Sequence, residues 1–130
     1  MLSAIKIPGI MFAQMDACCE KNETAPAAVS YEHFLRDAAA AIGSTDYGAA
    51  RNLLRRYMAY DMENPEAYNL LGISYEMEGD RLKAARFYRV SYYMDQTFSA
   101  PVENLNRVSM LWYKGNQNIS WGMERIGDNL

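Results

Sequence analysis

The stretch Tyr68-Asn-Leu-Leu71-Gly72-Ile-Ser-Tyr75, followed by Glu-Met-Glu-Gly79-Asp80 and then Ala84-Ala-Arg-Phe-Tyr88, decides the fold. It places an aromatic-x2-Leu-Gly-x2-Tyr pattern before a Gly-Asp turn and an Ala-x3-aromatic pattern after it. That is the mark of a helical hairpin that stacks on copies of itself. Sliding the chain by 34 residues brings Asp46 onto Asp80, Ala50 onto Ala84, Arg55 onto Arg89 and Asp61 onto Asp95. A hairpin of this kind cannot bury its faces alone, so neighbours stack and leave a curved surface rather than a closed pocket.

Working outward from the hairpin, Pro65 suits the first turn of a helix running to Glu78, with Tyr68, Leu71, Gly72 and Tyr75 buried. The next helix follows Asp80 to about Met94, with Ala84, Phe87, Tyr88 and Ser91 inward. Upstream, Asp46 is placed to cap a helix over Tyr47–Asp61 whose stripe is Ala50, Leu53, Leu54, Tyr57 and Met58. Ser30 reads as the cap of a still earlier helix, with Phe34, Leu35, Ala38, Ala39 and Ile42 at helical spacing, ended by Gly43-Ser44-Thr45. Downstream, Val102, Leu105, Val108 and Trp112 continue a helical spacing to Lys114. Gly115-Asn116 reads as a turn, and Ile119, Met123 and Ile126 as the stripe of a last short helix weakened by Gly122 and Gly127. Residues 1–29 read as a leader or linker broken by Pro8-Gly9 and Pro26, with a short helix from Ile10 to Cys19 as one option. Residues 30–115 read as the repeat domain, and 116–130 as a C-terminal capping segment.

The chain has 130 residues, enough for one domain that removes roughly two-thirds of its unfolded surface from water. Apolar and aromatic residues make up 50% of it, which predicts a packed core. A net charge of −3 argues against a partner held by phosphate electrostatics, so no nucleic acid is expected. Arg51, Arg55, Arg56, Arg81, Lys83, Arg86 and Arg89 lie near Asp61, Glu63, Glu66, Glu76 and Glu78, and read as a solvated, salt-bridged outer face. Phe87, Tyr88, Tyr92 and Tyr93 beside Arg86 and Arg89 could stack bases, but their spacing suits packing between helices better. No apolar run reaches the roughly 18 residues of a membrane span, and Ile7 to Ala13 is too short and broken for a signal peptide. Adjacent Cys18 and Cys19 make no disulfide framework. A cytoplasmic protein is the expectation. Asn22-Glu-Thr24 and Asn118-Ile-Ser120 then match the glycosylation pattern by chance.

The chain resembles the tetratricopeptide repeat family, through Tyr68-x2-Leu71-Gly72-x2-Tyr75, the Gly79-Asp80 turn, Ala84-x3-Tyr88 and, in the preceding unit, Ala50-x3-Leu54. The likeness covers about residues 31–115 and is strong from 46 to 98. It implies an all-α fold, a short right-handed superhelix of antiparallel helix–turn–helix repeats. Ala50, Leu54, Tyr68, Leu71, Gly72, Tyr75, Ala84 and Tyr88 would form the repeat core, with Gly72 facing Ala84. Met62 and Gln96 stand where the family usually has proline, and Asn104-Leu105-Asn106 replaces the Leu-Gly pair of the third unit.

The resemblance further implies a concave face that binds a peptide or partner helix. Its lining would be Glu66, Asn69, Leu70, Ile73 and Met77 from one unit and Glu103, Asn104, Arg107 and Met110 from the next. Leu70 and Ala100 occupy an asparagine and a lysine slot of the family's carboxylate-gripping branch, which argues against a clamp for chaperone tails. Lone His33 has no nucleophile at a recognisable spacing, and Cys18, Cys19 and His33 are poorly spaced for a metal. No enzyme activity, cofactor or metal is expected. The function implied is a non-catalytic adaptor or assembly factor, with a chaperone for a secreted or membrane-active client as the alternative. Between two and three hairpins is near the lower limit for a stable stack. That predicts either caps from 1–29 and 116–130 or a homo-oligomer joined through exposed aromatic surface, since ten tyrosines exceed what two hairpins bury.

Overall fold

Three short polar side chains punctuate the chain. Asp46, Asn64 and Asp80 each precede a helix and accept the backbone N–H three residues on, from Ala49 (3.1 Å), Ala67 (3.0 Å) and Lys83 (3.0 Å). Each satisfies one of the donors that a helix start leaves open. The computed structural model describes residues 27–115 and 118–126, with the backbone alone at 27–32. Among them it is all-helical: α1 (Ala27–Gly43), α2 (Tyr47–Tyr60), α3 (Pro65–Glu78), α4 (Arg81–Met94), α5 (Ser99–Ser109) and a single 3-10 turn at Met123–Arg125. The chain divides into two units, Met1–Ser30 and Tyr31–Leu130. The suggested helix from Ile10 to Cys19, and the two cysteines, lie outside the described residues.

The link after α2 and the link after α4 are built alike. Asp61 Oδ1 accepts the N–H of Glu63 (3.1 Å), and Asp95 Oδ1 accepts both the N–H (2.9 Å) and the hydroxyl (2.6 Å) of Thr97. An aspartate that folds back on the N–H two residues on turns the chain without a proline. This accounts for Met62 and Gln96 at the positions where the resemblance leads one to expect that residue.

Neighbouring helices pack: α3 meets α2, α4 and α5, and α4 also meets α5. Ala50, Leu54, Leu71, Ala84 and Tyr88 are buried, and Tyr68 and Tyr75 half-buried. The atoms nearest to Gly72 belong to the Tyr88 ring. A Cβ on Gly72 would lie 2.6 Å from Tyr88 Cδ1, well inside contact distance. Only a glycine lets the ring lie flat on that turn of α3.

Three expectations give way. Ser30 lies within α1, which starts at Ala27, so it does not cap that helix. The helix expected to reach Lys114 stops at Ser109, with Met110 extended, and Trp112 is 80% exposed. The cause is on α4: Arg81 donates to the Val108 carbonyl from Nε (3.2 Å) and Nη2 (2.6 Å) and to the Met110 carbonyl (3.1 Å), and its guanidinium lies 4.4 Å from the Tyr113 ring centre. With its last carbonyls held this way, α5 has no need of another turn. Arg81 therefore ties two helices together instead of facing solvent, as Arg51 also does through Glu78 (3.1 Å) and the Tyr75 ring (4.5 Å). Among the described residues the final helix is absent as well. Residues 118–122 have no regular secondary structure, and only Met123–Arg125 make one 3-10 turn.

Replacing Gly72 by leucine should drive Tyr88 out of place and cost on the order of 1–3 kcal/mol or more. Urea unfolding followed by circular dichroism would show it as a lowered midpoint, and an unchanged midpoint would mean that the two helices do not meet there.

Candidate functional site

One face of α3 and the facing side of α5 carry two asparagines, Asn69 and Asn104, both fully buried. Amides without solvent must find partners, and these find the main chain of residues 120 and 121. Asn104 Oδ1 accepts the Ser120 N–H (2.8 Å) while Asn104 Nδ2 donates to the Ser120 carbonyl (2.7 Å). The side-chain amide thus stands in for a neighbouring strand, offering a C=O and an N–H to one residue. Asn69 Nδ2 donates to the carbonyls of Ser120 (3.2 Å) and Trp121 (3.1 Å), and its own oxygen accepts from Asn104 Nδ2 (3.0 Å). None of these bonds reads a side chain of the segment.

Arg107, one helical turn beyond Asn104, continues the row. Its Nη1 donates to Asn104 Oδ1 (2.9 Å) and to the Asn118 carbonyl (2.9 Å). Nε and Nη2 grip Glu76 in a bidentate pair, at 3.0 Å to Oε1 and 2.6 Å to Oε2. The Glu76 side chain is wholly buried, and its other donors are the hydroxyls of Tyr88 (2.6 Å) and Tyr113 (2.9 Å). Four donors on one carboxylate compensate its loss of water. Burial, then the nearby Glu76 charge, pushes the Tyr88 phenol far above its usual range. Burial and then the hydrogen bond to Glu76 push Tyr113 up to about 12.

At the far end, Arg125 reaches back between Glu66 Oε1 (3.2 Å) and Asp95 Oδ2 (2.8 Å), with its guanidinium 4.8 Å from the Phe98 ring centre. Burial raises Glu66, opposed by Arg125. Hydrogen bonds from Thr97, then from Arg125, hold Asp95 down at about 2. Between the two anchor points Gly122 adopts a φ of 71°, and a Cβ there would stand 2.7 Å from Phe98 Cε2. Both the left-handed backbone and the missing side chain are required for the segment to cross Phe98.

Of the residues expected to line a peptide-binding face, Glu66, Asn69, Leu70, Ile73 and Asn104 are buried. The Arg107 side chain is 15% exposed, Met77 is half-buried, and Glu103 and Met110 are exposed. Asn69, Asn104, Arg107 and Glu66 are brought together on the chain's own residues 118–125. Leu70 and Ile73 share one apolar cluster with Ile119, Trp121, Met123 and Ile126. Sequence reading missed Glu76, Tyr113, Gly122 and Arg125. Glu76 was within reach, because 69, 73 and 76 fall on one helical face. His33 is exposed and lies 3.8 Å from Asp37. Among the described residues no three His, Cys, Asp or Glu are grouped as a metal would need.

No family model, curated protein or solved structure matches the chain.

Changing Arg107 to alanine leaves the Glu76 carboxylate buried without its counter-charge, and should cost about 3–5 kcal/mol. Chemical denaturation would measure it. A loss within a few tenths would mean the pair is not desolvated. Tyr113 offers a pH test. Unfolded, its phenol ionises near 10.0, and folded, near 12. The unfolded state therefore gives up the proton first, and stability falls as pH rises from about 10 to 12. Urea denaturation below and above this window should show the parent losing more stability than Tyr113→Phe, and equal losses would contradict the assignment.

Proposed function

We propose that this chain is a non-catalytic interaction module of the tetratricopeptide kind, an adaptor or assembly factor that binds an extended polypeptide between the first helices of successive hairpins, α3 and α5. The 34-residue recurrence of capping and turn aspartates and the contact of α3 with α2, α4 and α5 support stacked hairpins. One observation carries the binding reading: two buried asparagines meet the N–H and C=O of a segment of irregular backbone and bond none of its side chains. Such groups accept main chain of many sequences, and β-augmentation draws affinity from the same bonds. Among the described residues no helix is long and apolar enough to cross a membrane, which favours an adaptor that is not itself embedded, and the paired cysteines without a disulfide framework favour the cytoplasm.

Affinity capture from native lysate, read by mass spectrometry, tests the proposal. The full chain should retain a specific polypeptide that the Asn69→Ala, Asn104→Ala double variant loses while keeping its helical circular dichroism. Equal retention by parent and double variant, or no retained partner, contradicts it.

A further inference from the structure

We infer that residues 118–126 are an in-cis ligand, displaceable, whose own sequence states what the groove recognises in trans: a segment of irregular backbone with glycine and, three residues later across a 3-10 turn, arginine. This rests on the peptide-binding reading above and names its ligand and its regulation.

Beside the apolar packing of Ile119, Trp121, Met123 and Ile126, the contacts along the segment separate into two kinds. Asn69, Asn104 and Arg107 hold carbonyls of 118, 120 and 121 and one N–H, and would hold another chain as well. Two positions do select. At 122 the left-handed φ and the closeness of Phe98 admit glycine alone. At 125 a guanidinium bridges Glu66 and Asp95 above the same ring. A neutral residue there would leave the buried Glu66 without its cation, and a carboxylate would repel both acids. The groove therefore reads Gly-x-x-Arg on a template of main-chain bonds and apolar packing.

Release of the segment takes Arg125 away from Glu66, and the same opening returns that carboxylate to water. Asn69 and Asn104 bond each other and gain water on opening, while Glu76 keeps Arg107, Tyr88 and Tyr113. The helices keep their own core of Gly72, Tyr88, Ala84 and Leu54. The segment is held by its bonds to the groove and its apolar packing, and its tether adds an effective concentration in the millimolar range for a short linker. A ligand in trans thus binds only the open fraction, and its apparent affinity falls by that fraction.

The probe is a fluorescein-labelled peptide with the sequence of residues 118–126, titrated by anisotropy against the full chain and its Gly122→Val and Arg125→Glu variants. Both variants should bind it about tenfold or more tightly than the parent. A peptide carrying glutamate in place of arginine, or valine in place of glycine, should lose about tenfold or more on either variant. Equal binding by parent and variants, or no binding by variants that keep their helical dichroism, overturns the inference. Loss of that dichroism in both variants also overturns it, by making the segment an integral cap. If the variants refuse the peptide yet retain the polypeptide captured by the parent, the motif falls and the groove stands. If they retain neither, both fall.

Discussion

A carboxylate taken out of water between helices must be met on every side, and Glu76 is met by one arginine and two tyrosine hydroxyls drawn from α4, α5 and the irregular chain after it. Through this one group α3 is fastened to everything that follows it in the chain. Arg107 is aimed by the pair, and once aimed it has a free N–H edge for Asn104 Oδ1 and the Asn118 carbonyl. Structural charge and polypeptide-facing amides are therefore one network. The bidentate geometry suits arginine, whose planar fork presents two parallel donors; lysine offers a point charge in its place.

Around that hub the packing follows small against large. Gly72 receives the Tyr88 ring inside the hairpin, and Gly122 crosses Phe98 where the terminal segment meets the start of α5. The two contacts do different work. The first joins helices that belong to the same hairpin, and its partners are buried on all sides. The second joins the helices to a segment of irregular backbone held by side-chain amides, so the region has fewer regular backbone bonds to break when it opens.

Much of the hairpin could be read directly from residues. Pro65, Gly79, Asp46 and Asp80 are local signals, and α3 runs from Pro65 to Glu78 as their positions predict. The cores of α2 and α4 followed from spacing. What escaped is set at a distance. The end of α5 at Ser109 depends on Arg81, a residue of another helix that looked like part of a solvated face. Ile119, Met123 and Ile126 have helical spacing, yet Asn69 and Asn104 hold the carbonyls of 120 and 121, a grip that competes with intrahelical bonds and leaves a single 3-10 turn at Met123–Arg125. The asparagines themselves were legible as candidates through the family resemblance, but nothing local showed that the chain's own end would occupy them. Glu76, set between Tyr75 and Met77 with Glu78 close by, resembled its exposed neighbour Glu78 until the fold buried one and left the other outside.

The central claim is that the trough between α3 and α5 holds a main chain that can leave without unfolding the helices. Amide hydrogen exchange at Ser120, whose N–H is bonded to Asn104, tests it most directly. The account predicts protection above that of a free peptide but clearly below that of the buried amides of α3, the mark of local opening. Exchange at the free-peptide rate would show that the segment does not dock, and exchange only with global unfolding would show that it does not leave.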